Sequence, residues 1–117
     1  MALIVNTTTP DQLLANIRAT IDKKGIVTWT YDSEGDFTHT TSSEQWEEKA
    51  WMRPIIVPGV LIFEIVARGD EVLTKPIYGV YHGRFAEMLL THFDHDFTSL
   101  QATALLRAKI DVYKRGT

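Results

Sequence analysis

Residues 51–67 read WMRPIIVPGVLIFEIVA. Two apolar runs flank Pro58-Gly59, a pair that suits the central positions of a type II turn. We therefore predict a β-hairpin with strands at 51–57 and 60–67. Pro54 lacks an amide donor, so its strand is expected to lie at a sheet edge or to begin near Ile55.

A second hairpin is predicted upstream of the first. Residues 26–31 and 37–41 are rich in β-branched and aromatic side chains, and a cluster of turn-forming residues at 32–36 separates them. Side chains alternate between the two faces of a strand. The residues that share a face are Val27, Trp29 and Tyr31 on one strand, and Phe37, His39 and Thr41 on the other.

The first helix is predicted from the residues at its ends. Thr9 is a typical N-cap, Pro10 suits the first helical position and Gln12 completes a capping box. Gly25 is typical of a position just beyond a helix C-terminus. The helix is therefore expected over residues 10–24.

Two further helices are predicted. A capping-box pair beginning at Ser42 indicates one or two helical turns over residues 46–50. A broad apolar face at helical spacing predicts a long helix over residues 75–93. Gly79 and Gly83 lie on one side of it, which favours close approach of a neighbouring backbone.

The last segment has a period of two, because every even position from 100 to 112 is apolar. This pattern predicts one long final strand. The element order is then α-β-β-(α)-β-β-α-β. We predict a single α+β domain over residues 1–117, with a mostly antiparallel sheet of about five strands and two main helices packed on one face.

Composition excludes several classes of protein. The chain has 117 residues, no cysteine and a net charge of −3. Disulfide frameworks, thiol nucleophiles and iron–sulfur clusters are thereby excluded, and a cytoplasmic location is expected. No apolar run is long enough for a membrane span, and a nucleic-acid partner is not expected.

Six acids fall in one segment: Asp32, Glu34, Asp36, Glu44, Glu47 and Glu48.

One candidate site is a metal site at the end of the long helix. His92 and His95 are three residues apart, and Asp94 and Asp96 add oxygen ligands. His39 is a candidate for a further ligand. The alternative is that both histidines complement the negative end of the helix dipole. No cofactor is predicted.

A second candidate is a ligand-binding group on the long helix. Arg84 suits a carboxylate or phosphate, and His82 titrates near neutrality. Tyr81 lies beside them, and Glu64 interrupts an apolar strand as a possible paired acid. No catalytic residues are predicted. Each of these groups also fits a structural role.

A third candidate is an aromatic surface beside the acidic segment. Its residues are Trp29, Tyr31, Trp46 and Trp51. Aromatic residues are enriched in interfaces, and the acids favour a basic partner. The alternative is that these aromatic residues fill the core.

Three functional hypotheses follow from the sequence. The first is a non-enzymatic binding or adaptor module that acts as a homodimer. The second is a small ligand-binding domain or enzyme with a pocket beside the helix at 75–93. The third is an acidic inhibitor or immunity-type protein that binds a basic partner. Walker-type and dinucleotide-type loops, the serine elbow and the HExxH pair are absent, which favours a non-enzymatic protein.

Overall fold

The computed structural model describes residues 2–40, 48–68, 74–104 and 112–114. Within these ranges it has two helices and seven strands, which confirms the predicted α+β class. In chain order the elements are β1 (Ala2–Asn6), α1 (Pro10–Asp22), β2 (Trp29–Tyr31), β3 (Phe37–His39), β4 (Ala50–Val57), β5 (Val60–Arg68), α2 (Lys75–His92), β6 (Ser99–Ala102) and β7 (Val112–Lys114).

The central hairpin forms as predicted. β4 and β5 pair in antiparallel register from Ala50 opposite Ala67 to Val57 opposite Val60. Gly59 has a φ of +78°, which the second central position of a type II turn requires. The remaining strands assemble around this hairpin in the order β2-β3-β4-β5-β1-β6, and β7 pairs with β5 alone.

Pro54 lies in an interior strand, although its missing amide predicts a sheet edge. β4 has β5 on one side and β3 on the other. However, β3 pairs with β4 only where Phe37 faces Met52. Pro54 therefore lies beyond the end of β3, and its missing N–H removes no hydrogen bond on that side.

Both helices pack on one face of the sheet. Leu61, Phe63 and Ile65 of β5 are buried on this face, in one cluster with residues of both helices. The helical members of the cluster are Leu13, Leu14, Ile17, Ile21, Tyr81, Phe85, Met88 and Leu89. Burial of these side chains supplies most of the driving force for folding.

The N-terminal strand was not predicted. Residues Ala2–Asn6 form β1, which lies between β5 and the edge strand β6. Leu3 pairs with Phe63 on one side and with Ala102 on the other. Residues 2–5 are all apolar, so the segment lacks the alternation that marks a half-exposed strand.

The prediction of one long final strand is wrong. β6 pairs antiparallel with β1 and ends at Ala102, whereas β7 pairs parallel with β5 at Val66 to Arg68. β1 stops pairing with β5 at Glu64, so β7 occupies the edge of β5 that β1 leaves open. Residues 105–111 of the predicted strand lie outside the described residues.

The end of α1 differs from its prediction. The helix ends at Asp22, two residues before its predicted end, and Lys24 has a left-handed φ of 65°. At the other end, the Thr9 side chain makes no capping hydrogen bond. The Gln12 amide donates to the Asn16 side chain instead of returning to Thr9. The predicted capping box is therefore wrong, although the helix begins at Pro10 as expected.

The predicted short helix at 46–50 is wrong for residues 48–50, the part of it that the structure describes. Ala50 already belongs to β4, and the preceding pair, Glu48 and Lys49, forms a turn. Glu48 has a φ of 50°, which does not belong to a right-handed helix. Residues 46 and 47 lie outside the described ranges. Among the described residues, no helix is long and apolar enough to cross a membrane.

Candidate functional site

A cavity of about 130 Å³ opens between α2 and the β2–β3 hairpin. It has a buried floor and an exposed polar rim. The floor consists of Trp29, His39 and Met88, and the rim consists of Thr28, Arg84, Glu87, Thr91 and His92. Polar groups placed around a buried indole and a thioether are typical of a small-molecule site.

The floor is held by packing between the hairpin and α2. Trp29 and His39 are directly opposite each other in the β2–β3 register, and their rings meet edge to face at 5.0 Å. Trp29 also packs edge to face against Tyr81 at 5.6 Å and Phe85 at 4.9 Å. Such contacts fix the orientation of the indole ring. The floor is therefore already formed in the structure without a ligand.

The α2 side of the cavity comes from one face of the helix. Residues three and four positions apart are neighbours on a helix, and this spacing brings Arg84, Glu87, Met88 and Thr91 together. Met88 turns into the core while Arg84 and Glu87 stay exposed. Among the residues that the structure describes, neither Arg84 nor Glu87 makes a side-chain hydrogen bond or an ion pair. Both charges are available at the rim.

The His39 imidazole in the floor is held neutral. Burial lowers the pKa of His39, and the positive charge of Arg84 lowers that pKa further. A neutral imidazole in a wall of the cavity donates at one nitrogen and accepts at the other. The floor therefore contributes polarity without adding a charge.

The predicted ligand-binding group does not come together. Only Arg84 lines the cavity. Tyr81 is fully buried, and its hydroxyl accepts a hydrogen bond from the backbone N–H of Lys49 at 2.9 Å. Glu64 alternates with the core residues of β5, so it lies on the sheet face opposite the helices. Alternation along the strand places Glu64 on one face with Ile62 and Val66, but the sequence does not show which face of the sheet the helices cover.

His82 is buried in α2 away from the cavity lining. Its Nδ1 lies 2.7 Å from the carbonyl oxygen of Tyr78, and its Nε2 has no partner among the described residues. Burial lowers the pKa of His82. A proton on Nε2 would place an uncompensated charge in the core, so the neutral ring is strongly favoured.

These two histidines predict a loss of stability on acidification. Their pKa values are lowered in the folded state, so below about pH 6.5 the unfolded chain takes up protons that the folded chain resists. The stabilisation is complete above that pH and is lost as the pH falls towards the folded pKa values. Urea unfolding at several pH values is expected to show a slope of up to about 1.4 kcal/mol per pH unit for each histidine.

The variant His82→Asn keeps a donor for the Tyr78 carbonyl and is expected to flatten this slope. The matched control is His95→Asn, because the His95 side chain is 96% exposed. A wild-type slope that both variants leave unchanged between pH 7 and pH 5 would contradict the assignment.

The two predicted metal ligands differ in their surroundings. His92 lies on the cavity rim, whereas His95 lies beyond the helix, with its Nε2 4.0 Å from Asp94. His39, the candidate third ligand, is in the cavity floor. Within the described ranges, no three His, Asp or Glu side chains are grouped so that they could hold a metal ion.

The predicted aromatic interface is divided between different environments. Trp29 is only 2% exposed, so its assignment to a surface is corrected to the core. Tyr31 is half-buried, and its hydroxyl donates to Asp22 at 2.7 Å, which raises the pKa of Tyr31. Trp51 is half-buried on β4. Trp46 lies outside the described residues.

Sequence reasoning missed several residues that line the cavity: Thr28, Glu87, Met88 and Thr91. The helical spacing of Glu87, Met88 and Thr91 from Arg84 was a usable signal. The expected close contact at Gly79 and Gly83 is wrong for the described part of the chain, where a Cβ at either glycine meets no atom within 4 Å. The cavity opens on a different side of α2.

The cavity lining gives the evidence for a site in this protein. No family model, curated protein or solved structure matches the chain. The chemistry of the site therefore follows from its own residues: one cation, one anion, two hydroxyls and two imidazoles around a buried indole and a thioether.

Proposed function

We propose that this protein is a non-enzymatic binding protein for a small polar molecule, which it holds in the cavity between α2 and the β2–β3 hairpin. The observation that carries the proposal is the combination of a buried, closely packed floor with two charged rim residues, Arg84 and Glu87, that have no side-chain partner among the described residues. Buried apolar surface supplies affinity in such sites, and a few placed polar groups supply orientation.

The size of the cavity limits the ligand. Its volume of about 130 Å³ is several times what one water molecule needs. Pockets for drug-sized ligands hold roughly 300–1,000 Å³. The ligand is therefore a molecule of few non-hydrogen atoms. Binding is proposed rather than catalysis, because Walker-type loops, the serine elbow and the HExxH pair are absent from the sequence.

Filling the mouth of the cavity tests this function. Thr91 is exposed and lines the cavity, so Thr91→Trp is expected to block the site without disturbing the core. Hits from a small-molecule library, detected by ligand-observed NMR with the wild-type protein, are expected to weaken at least about tenfold in this variant.

Leu90→Trp is the matched control, because Leu90 is 54% exposed on α2 and does not line the cavity. It is expected to bind every hit as the wild type does. Equal binding by the wild type and Thr91→Trp would show that the hits bind elsewhere, and the proposed function would then be rejected.

A second candidate function is the homodimeric binding module expected in the cytoplasm. It is favoured by a row of isoleucines on the sheet face opposite the helices, where Ile62 pairs with Ile4 on one side and Ile55 on the other. All three are half-buried in the single chain. Apolar surface of this kind is typical of an interface between copies.

Light scattering at micromolar concentration is expected to give twice the chain mass, and a monomer mass would contradict this candidate.

A further inference from the structure

The cavity rim carries two opposite charges side by side. Arg84 and Glu87 are three residues apart on α2, which places their Cβ atoms about 5–6 Å from each other. Both side chains line the cavity and both are exposed. No ion pair joins them, and neither is paired with another residue in the described part of the chain. The rim therefore offers one free cation and one free anion to the same ligand.

From this arrangement we infer that the cavity binds a zwitterion, a small α-amino acid whose carboxylate contacts Arg84 and whose ammonium group contacts Glu87. The inference rests on the proposed function and names its ligand class. An anion that approached Arg84 alone would be repelled by Glu87, and a cation that approached Glu87 alone would be repelled by Arg84. A ligand that carries both charges on one carbon satisfies both side chains.

The floor limits the side chain of this amino acid. Trp29 and Met88 present apolar surface, and neutral His39 adds no charge. The volume of about 130 Å³ holds about four water-sized groups, at about 30 Å³ each. A small neutral side chain fits beneath the rim. A long or charged side chain does not, because it would exceed the volume or leave a charge against the floor.

The test compares L-alanine with two probes that each lack one charged group. Propionate keeps the carboxylate and loses the ammonium group, whereas ethylamine keeps the ammonium group and loses the carboxylate. Chemical-shift titration of the full chain, at constant ionic strength, is expected to show L-alanine binding at least about tenfold more tightly than either probe.

Two substitutions test whether Arg84 and Glu87 are the side chains that bind the charged groups of L-alanine. Arg84→Gln and Glu87→Gln are each expected to weaken L-alanine binding about tenfold to a hundredfold. Glu87→Gln is further expected to bind propionate more tightly than the wild type does, because the repulsion is removed. Both residues are exposed, so these variants are expected to fold. The control is Asp11→Asn, which removes an exposed charge on α1 without touching the cavity.

The outcomes separate this inference from the proposed function. If propionate binds as tightly as L-alanine and Glu87→Gln does not weaken L-alanine, the site is an anion site and the zwitterion is rejected. If L-alanine produces no shifts at millimolar concentration while Thr91→Trp still blocks a library hit, the zwitterion is rejected and the binding function stands. If Thr91→Trp blocks nothing, both are rejected.

Discussion

Replacing Trp29 with alanine is expected to lower the free energy of unfolding by about 3–5 kcal/mol, the range for truncation of a large aromatic side chain in a core. Trp29 is 2% exposed and packs edge to face against His39, Tyr81 and Phe85. The substitution removes these contacts and leaves a cavity between the hairpin and α2. The loss is nearer the lower end of this range if the neighbouring side chains move into the cavity, and nearer the upper end if they do not.

Chemical denaturation followed by far-ultraviolet circular dichroism measures this loss. Val27→Ala is the control, because Val27 is close by in the chain but is 69% exposed. It is expected to change the free energy of unfolding by less than about 0.5 kcal/mol. If the two variants lose equal stability, Trp29 is not a centre of the core.

The second large effect is expected at the ion pair between Arg53 and Asp36. The guanidinium donates to both carboxylate oxygens, with Nε 3.1 Å from Oδ1 and Nη2 2.8 Å from Oδ2. The Asp36 side chain is 1% exposed, and this carboxylate is the main cause that raises the pKa of Arg53. Arg53→Met is expected to destabilise the fold by about 1.5–3 kcal/mol, because a buried carboxylate loses a charged donor.

A double-mutant cycle isolates this pair. Arg53→Met with Asp36→Asn is expected to cost less than the sum of the two single variants, because removal of one partner already breaks the interaction. Lys23→Met provides the control on an exposed lysine. Strict additivity of the two single variants would show that Arg53 and Asp36 contribute independently.

The best-predicted elements are those whose patterns depend on their own residues. The Pro58-Gly59 turn fixes the β4–β5 register by itself, and the apolar face of α2 is visible in one stretch of sequence. β1 and a separate strand β7 were not predicted, because each forms by pairing with a strand that lies far away in the sequence. The period-two pattern near the C-terminus indicates extended backbone, but no local signal shows that the chain moves from β1 to β5.

Only part of the site was predicted, because local patterns show some of its residues but not the packing that brings them together. Arg84 and His92 were candidates, and both line the cavity. Their companions Trp29 and His39 were placed in one hairpin by alternation, and the register confirms that they are partners. The packing of α2 over this hairpin brings Arg84 and His92 together with Trp29 and His39. Tertiary packing of this kind leaves no mark at any single position of the sequence.

The distant pairing partners of β1 also determine the order in which the chain can fold. Its two partner strands lie far along the chain, and Ala2 bonds to Thr103, which is 101 residues away. Such distant pairing gives a high contact order, which is typical of domains that fold in milliseconds to seconds rather than microseconds. β1 can therefore pair on both sides only after β5 and β6, which lie later in the chain, have been synthesised.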